Sequence, residues 1–216
     1  MKKLLKKEMT LSASPLSYWF LAFAAMTMIP GYPILISGFF LCLGIFYSFQ
    51  FGREANDVLY TALLPCRKGD VVRAKYAFVC LIQGTGWALS AVLTAVRMTV
   101  LSGAEVYINN QMLAATPAYL GCLLLIFSAF NGIFLGGFFK NAYRLGAPFL
   151  GFAVTAFVIV AAAEALIHVP GLESLNRISG GSPAQWGMLL VGLIVYAGVT
   201  AFSCHRSEGR FEALDL

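Results

Sequence analysis

Read for apolar and polar positions, the chain alternates between long unbroken apolar runs and short polar connections. Six runs stand out, over residues 16–29, 34–51, 77–101, 118–138, 148–168 and 184–203. A hydrocarbon core of about 30 Å needs about 20 apolar residues per helical crossing, and all but the first run come near that length. None shows the strict alternation of a barrel strand, and backbone groups in lipid must be bonded within their own segment, so the runs predict helices. The expected fold is an all-α membrane protein with six transmembrane helices, one domain over residues 1–216. The first run is short. It either begins earlier, near Leu11, or enters and returns with the second run through the Pro30-Gly31-Tyr32-Pro33 turn. Both versions leave Arg53 on the same side as the N-terminus.

The polar segments between the runs carry the finer pattern. Over residues 1–13, Leu4, Leu5, Met9 and Leu11 share one helical arc and Lys2, Lys3, Lys6 and Lys7 the opposite one, which predicts an amphipathic interfacial helix. Glu8 falls inside the apolar arc and breaks the pattern. Between the second and third runs lies a polar, basic island, residues 51–76. Within it Asn56 or Asp57 caps a short helix whose apolar face is Val58, Leu59, Ala62 and Leu63, and Pro65 stops it. Gly69 and Asp70 then restart a helix, with Asp70 as its cap, through Val71 and Val72 into the third run. Such a helix either docks a partner or rests on headgroups. The connections at 102–117 and 169–183 are long and carry either short half-inserted helices or surface loops.

Composition agrees with the pattern. Of 216 residues, 59% are hydrophobic and 12% charged, against about 25% charged in soluble domains. Charge then orients the helices. Lys2, Lys3, Lys6, Lys7, Arg53, Arg67, Lys68, Arg73, Lys75, Lys140, Arg144, Arg206 and Arg210 fall on one side, and only Arg97 and Arg177 on the other. The positive-inside rule makes the rich side cytoplasmic, with both termini inside a bacterial-type cell membrane. The net charge of +5 is therefore a topology signal, and the absence of any basic reading motif argues against a nucleic-acid partner. A signal peptide is the competing reading of the N-terminus, but Ala22 and Ala24 lie within the apolar run rather than after it.

Candidate chemistry is sparse. The five cysteines fall in the helices or on the inner side, His168 and His205 lie at opposite faces, and no metal site is expected. No phosphate loop, GxSxG or HExxH occurs. Glu164 and His168 share one helix face but have no further catalytic partner, so the chain is not expected to be an enzyme. Within the runs, Gln83, Thr85, Ser90 and Thr94 make the third helix polar and are candidates to line a path. Gly132 and Gly136 form GxxxG, a site of close helix packing within one chain or between two. Arg97 lies six residues before Gly103 and Glu164 six before Pro170. At 1.5 Å per residue both sit about 9 Å inside the outer helix ends. The matching depth predicts an intramembrane charge pair or a shared wet vestibule, while Arg97 alone has the reach to snorkel outward.

Arg53-Glu54, Leu63-Leu64-Pro65, Lys68, Asp70, Val71, Val72 and Lys75 together resemble the inner loop of ABC-2 type transporter permeases. Ser14-Pro15-Leu16-Ser17-Tyr18, the 30–33 turn and Phe49-Gln50-Phe51-Gly52-Arg53-Glu54 resemble the short permeases of phenol-soluble-modulin exporters. The Gly-Thr that many such permeases carry after the glutamate is absent, with Asn56-Asp57 near its place. The resemblance implies a permease subunit of an ATP-driven exporter of amphipathic peptides, with a cytoplasmic coupling region over 54–70. It also implies separate ATPase subunits that hold ATP and Mg, a second permease chain, and no cofactor on this chain. The ATPase-docking residues would be Glu54, Asp57, Val58, Leu59, Ala62, Leu63, Pro65, Lys68 and Asp70. A membrane accessory or immunity protein that binds a peptide without moving it is the alternative.

Overall fold

The computed structural model describes residues 2–62, 66–108, 110–140, 144–178 and 181–213. Every regular element among them is helical. The N-terminal helix α1 (Lys2–Lys7) loosens into a π-helical turn at Glu8–Ser12. Helix α2 (Pro15–Trp19) starts where Ser14 accepts from the Leu16 amide and Pro15 takes the first helical position. It continues as a 3-10 helix over Phe20–Met28. After a turn with Gly31 at φ +68, α3 (Ile36–Glu54) returns antiparallel to α2, and the short α4 (Asp57–Ala62) follows.

The 3-10 winding lengthens the first run without making it a full crossing by length. Fourteen residues of pure α-helix would rise about 21 Å, but at about 2.0 Å per residue the 3-10 part brings the segment to roughly 25 Å. A nine-residue 3-10 helix is unusual, since such runs seldom exceed about four residues. This one is held from the side by Arg97, which donates to the Thr27 carbonyl at 2.6 Å, and by Tyr107, which donates to the Met28 carbonyl at 3.0 Å, and the α2 turn that leads into it is tied to α3. The Ser17 hydroxyl donates to the Gly44 carbonyl at 2.6 Å and sits 2.6 Å from the Ser48 hydroxyl, which in turn accepts from the Ser14 amide. A Cβ on Gly44 would lie 2.5 Å from that of Phe20, so the glycine lets the two segments touch.

Helix α5 (Lys68–Thr99) joins the polar island and the third apolar run in one 32-residue rod. A single turn, α6 (Glu105–Ile108), precedes α7 (Pro117–Ala129). A π-helical segment, Phe130–Leu135, and α8 (Gly136–Phe138) extend α7 into one rod, followed by α9 (Gly146–Leu166) and α10 (Pro183–Glu212). Helix α10 opens with a full capping box, Ser182 with Gln185. Four rods are long and apolar enough to cross a membrane: Lys68–Thr99, Pro117–Phe138, Gly146–Leu166 and Pro183–Glu212. The expectation of six therefore stands at four by length and apolarity. Pro15–Met28 is too short, and α3 carries Gln50, Arg53 and Glu54 at its end.

The α7 rod is the centre of the bundle and is buried on most faces, whereas α10 exposes most of its length. Phe130 and Phe134, fully buried on the π-helical segment, join Phe46, Phe49, Phe138, Phe149 and Phe152 in one aromatic cluster. Small residues set the crossing of α7 and α10. A Cβ on Gly121 would lie 2.5 Å from the Met188 carbonyl oxygen, and one on Gly192 2.5 Å from that of Gly121. Gly132 and Gly136 face Val199 and Ser203 of the same chain, so this GxxxG packs within one subunit.

Candidate coupling site and intramembrane polar residues

The N-terminal helix, the island and the last helix meet at one end of the bundle. The island's sequence provides Asp57 and Thr61 one helical turn apart, on one face of α4. Both turn toward α1. Lys7 pairs with the Asp57 carboxylate and its Nζ donates to Thr61 Oγ1 at 2.7 Å. Lys75, on α5, reaches the other Asp57 oxygen at 2.9 Å and Glu8 at 2.9 Å, and Lys7 closes the ring on Glu8 at 3.1 Å. Glu8 is 2% exposed and Lys75 5%. This is a ring of two cations and two carboxylates, buried at Glu8 and Lys75 and half-buried at Lys7 and Asp57, and balanced in charge, which is the condition under which burial of such groups is tolerated. Burial pushes the Asp57 carboxyl up, but Lys75 and Lys7 outweigh it and hold the group below the usual carboxylate range.

The ring explains the flaw in the amphipathic pattern. Glu8 lies in the apolar arc because it faces inward to Lys75, beside Leu5 and Met9, which pack on the core. Leu11, expected in the same arc, is 70% exposed, because the π-helical turn at Glu8–Ser12 shifts the register. Two further expectations for the island change. Asn56 sits at φ +51 just before α4, and Asp57 opens the helix but gives its carboxylate to the two lysines. Arg67, in extended backbone, stands at the start of α5. Asp70 is not the cap but a first-turn acid, where it favours the helix dipole. Glu54 is exposed at the end of α3, and Tyr60 is exposed on α4. Val58, Leu59 and Ala62 lie on the α4 backbone; Leu63 and Pro65 lie outside the described residues. Arg73 makes a two-point contact with Glu208 of α10, at 2.6 and 2.9 Å, and Arg210 donates to the Gly136 carbonyl.

The polar residues of α5 divide. Thr85 is exposed and bonds the Leu81 carbonyl of its own helix. Gln83 is buried and exchanges two hydrogen bonds with Asn131, while Tyr196 donates to Gln83 Oε1 and Asn131 donates to Thr200. Ser203 and Tyr76 continue this seam between α5, the π-helical segment and α10. Asn131 on a π-helical turn was not singled out by sequence reasoning; a lone polar residue in an apolar run was its only signal. Ser90 and Thr94 are buried on the same face of α5 as Gln83, and their hydroxyls have no partner.

Arg97 and Glu164 do not form the expected ion pair. Arg97 is 2% exposed, donates to the Thr27 carbonyl at 2.6 Å and lies 4.2 Å from the centre of the Tyr107 ring. Glu164 accepts from the Leu113 amide at 2.9 Å. Each lies two residues before the last residue of its helix, Thr99 and Leu166, rather than six before the end; lateral position is set by packing, and each group met a nearer partner. The described parts of the connections between the rods at this end are tied down by hydrogen bonds. The stretch Leu113 to Thr116 is buried and held by Glu164, Asn176 and the Leu175 carbonyl. Gln185 donates to the carbonyls of Ser174, Leu175 and Arg177.

No curated protein and no solved structure matches the chain. One family model does match, that described as ABC-2 family transporter protein, over residues 3–207. That span runs from the N-terminal helix of the charged ring to Ser207 within α10, and the chain belongs to this family of membrane transport components.

Proposed function

We propose that this chain is the permease subunit of an ATP-driven exporter, with ATP and Mg held by separate ATPase subunits at the end where the charged ring lies. Family membership supports a permease with an ABC ATPase partner. The observation that carries the docking assignment is the bracing of α4. A short helix that juts from the bundle transmits force only if its own base is stiff, and Lys7 and Lys75 tie Asp57 to both α1 and α5. Helix α5 then runs unbroken from that contact across the bundle. The positive-inside rule puts this end in the cytoplasm. In this reading α2 with its 3-10 extension and α3 form the first two of six crossings. Two permease chains enclose a cavity that is exposed alternately to each side. The assignment of an amphipathic peptide cargo draws on the resemblance of residues 14–76 to phenol-soluble-modulin exporters.

The test is co-purification with a phosphate-loop ATPase, sought in the reading frames that neighbour this chain's own. Tyr60, 67% exposed on α4, is the natural probe. Replacing it together with Leu59 by Asp is expected to abolish retention of the ATPase and peptide-stimulated ATP hydrolysis, because two unpaired charges would be buried at the contact. Membrane insertion should be unchanged. A double variant that retains active ATPase at normal stoichiometry would overturn the docking assignment.

A further inference from the structure

Arg97 and Arg177, the two basic residues left over by the charge asymmetry, both adjoin Tyr107 at one cavity, Arg177 in its lining and Arg97 behind the ring. At the end opposite the charged ring, Ser102, Tyr107, Asn110, Asn176 and Arg177 line a cavity of about 290 Å³. Arg97 lies behind its wall, against the Tyr107 ring. The Tyr107 hydroxyl donates to the Met28 carbonyl at 3.0 Å, which fixes the ring between the cation and the cavity.

Around the cavity two buried donors lack partners, and the one unpartnered buried carboxylate oxygen among the described residues at this end, Glu164 Oε1, lies outside the lining. Arg97 has five N–H groups. Its Nη1 is used on Thr27, and its Nη2 is buried without a partner. Among the residues whose side chains are described, which leaves out Glu173, no carboxylate lies within ion-pair distance of Arg97 or Arg177, and neither Glu105 nor Glu164 lines the cavity. Asn110 holds the second such donor. Its Oδ1 accepts from the amides of Gly31 and Met112, at 3.3 and 3.2 Å, which sets the orientation of the side-chain amide. Its Nδ2 is then a buried donor with no partner. Asn176 is fixed in the same way, accepting from Ala114 and donating to Met112. The Arg177 carbonyl is held by Gln185. A buried cation with one unpartnered nitrogen and a buried amide donor without an acceptor each carry a desolvation penalty that an anion would relieve.

We infer that this cavity binds a phosphate anion, presented by an anionic phospholipid of the leaflet at this end, between Asn110 and Arg177 with Arg97 as a charge behind Tyr107. Position favours the lipid source. The cavity lies just beyond the last turn of α5, where Val100 and Val106 are exposed as apolar surface. Trp186, 58% exposed and packed beside Gly181 in the first turn of α10, marks the depth at which tryptophans sit among headgroups. At about 290 Å³ the space is near the bottom of the about 300–1,000 Å³ range of ligand pockets, which suits one compact headgroup. The inference is independent of transport, cargo and the ATPase.

The experiment uses the full-length chain, purified in detergent and delipidated. Native mass spectrometry would then follow titration with phosphatidylglycerol, phosphatidylcholine or inorganic phosphate. One tightly held phosphatidylglycerol per chain is expected, over a background of weaker phosphatidylcholine binding. Asn110→Asp keeps the acceptor oxygen for Gly31 and Met112 but replaces the free donor by negative charge. It is expected to lower phosphatidylglycerol affinity by about tenfold or more, the worth of a charge-assisted hydrogen bond. Arg177→Gln, at an exposed position, should lower it by a similar factor and is not expected to affect folding. Binding of inorganic phosphate that both variants weaken, without selective lipid retention, would support the anion site and assign it to free phosphate. Phosphatidylglycerol and phosphate binding that neither variant changes, or no selective binding of either, would overturn the proposal.

Discussion

Glu8 looks misplaced in the sequence, an acid among leucines, and the residue that explains it, Lys75, is 67 positions away. The physics is that of a buried pair. Removing one partner leaves a charge in a poor solvent, which typically costs about 3–5 kcal/mol, whereas removing both is often near neutral. Lys75→Met is therefore expected to lower the thermal unfolding temperature of the detergent-solubilised protein sharply. Glu8→Leu added to it should recover most of the loss, because Lys7 and Asp57 remain paired. The same melts extended to acid carry a second expectation. The folded pKa of Asp57 lies below its unfolded value of about 3.9. Its contribution is thus complete above that value and fades as pH falls through the folded one. Asp57→Asn should be less stable at neutral pH and should show a weaker acid dependence below about pH 4. Equal melts for the single and double variants at neutral pH would remove the ring from the account of stability.

At the level of elements, glycines decide where helices touch, and the motif visible in the sequence is not the tightest contact. A Cβ on Gly132 would meet the Val199 side chain at 3.1 Å, an atom able to give way. A Cβ on Gly121 would meet backbone at 2.5 Å, and backbone in a packed crossing does not give way. Gly121→Ala and Gly192→Ala are expected to destabilise by about 1–3 kcal/mol through overpacking. Gly132→Ala should cost less, and Gly198→Ala, where nothing lies within 4 Å, should be neutral or stabilise by up to about 1 kcal/mol through helix propensity. Unfolding of the four variants under identical detergent conditions gives the order. If Gly132→Ala proved the most damaging, the crossing as described here would be wrong. The 3-10 helix Phe20–Met28 belongs to the same scale, since its rise lets a short segment span a greater depth.

For the whole molecule, the two ends differ in kind. One gathers Lys7, Glu8, Asp57, Lys75, Arg73 and Glu208 in ion pairs. The other is tied by backbone carbonyls and side-chain amides around Asn110, Asn176 and Gln185. In a background without native cysteines, Ser102→Cys is expected to react with a membrane-impermeant thiol reagent in intact cells. Tyr60→Cys should react only after permeabilisation. Both positions are exposed, so access depends on the side of the membrane. The opposite pattern would invert the proposed orientation.

Helical class, the main apolar rods and the segregation of basic residues were legible from the chain because they rest on local properties: run length, absence of alternation and charge along the sequence. Lipid makes such local properties decisive, since each segment must satisfy its own backbone. Family likeness was legible in the polar island for the same reason, as a contiguous pattern. What required the tertiary structure was every relation across the bundle. The ring at Glu8 and Lys75, the crossing at Gly121 and Gly192, and the Gln83–Asn131 seam each join residues far apart in sequence. The separate fates of Arg97 and Glu164 make the same point, because a like position two residues before each helix end says nothing of the angle at which each faces its neighbours. Depth follows from counting residues, while lateral position follows from how side chains of neighbouring helices fit together.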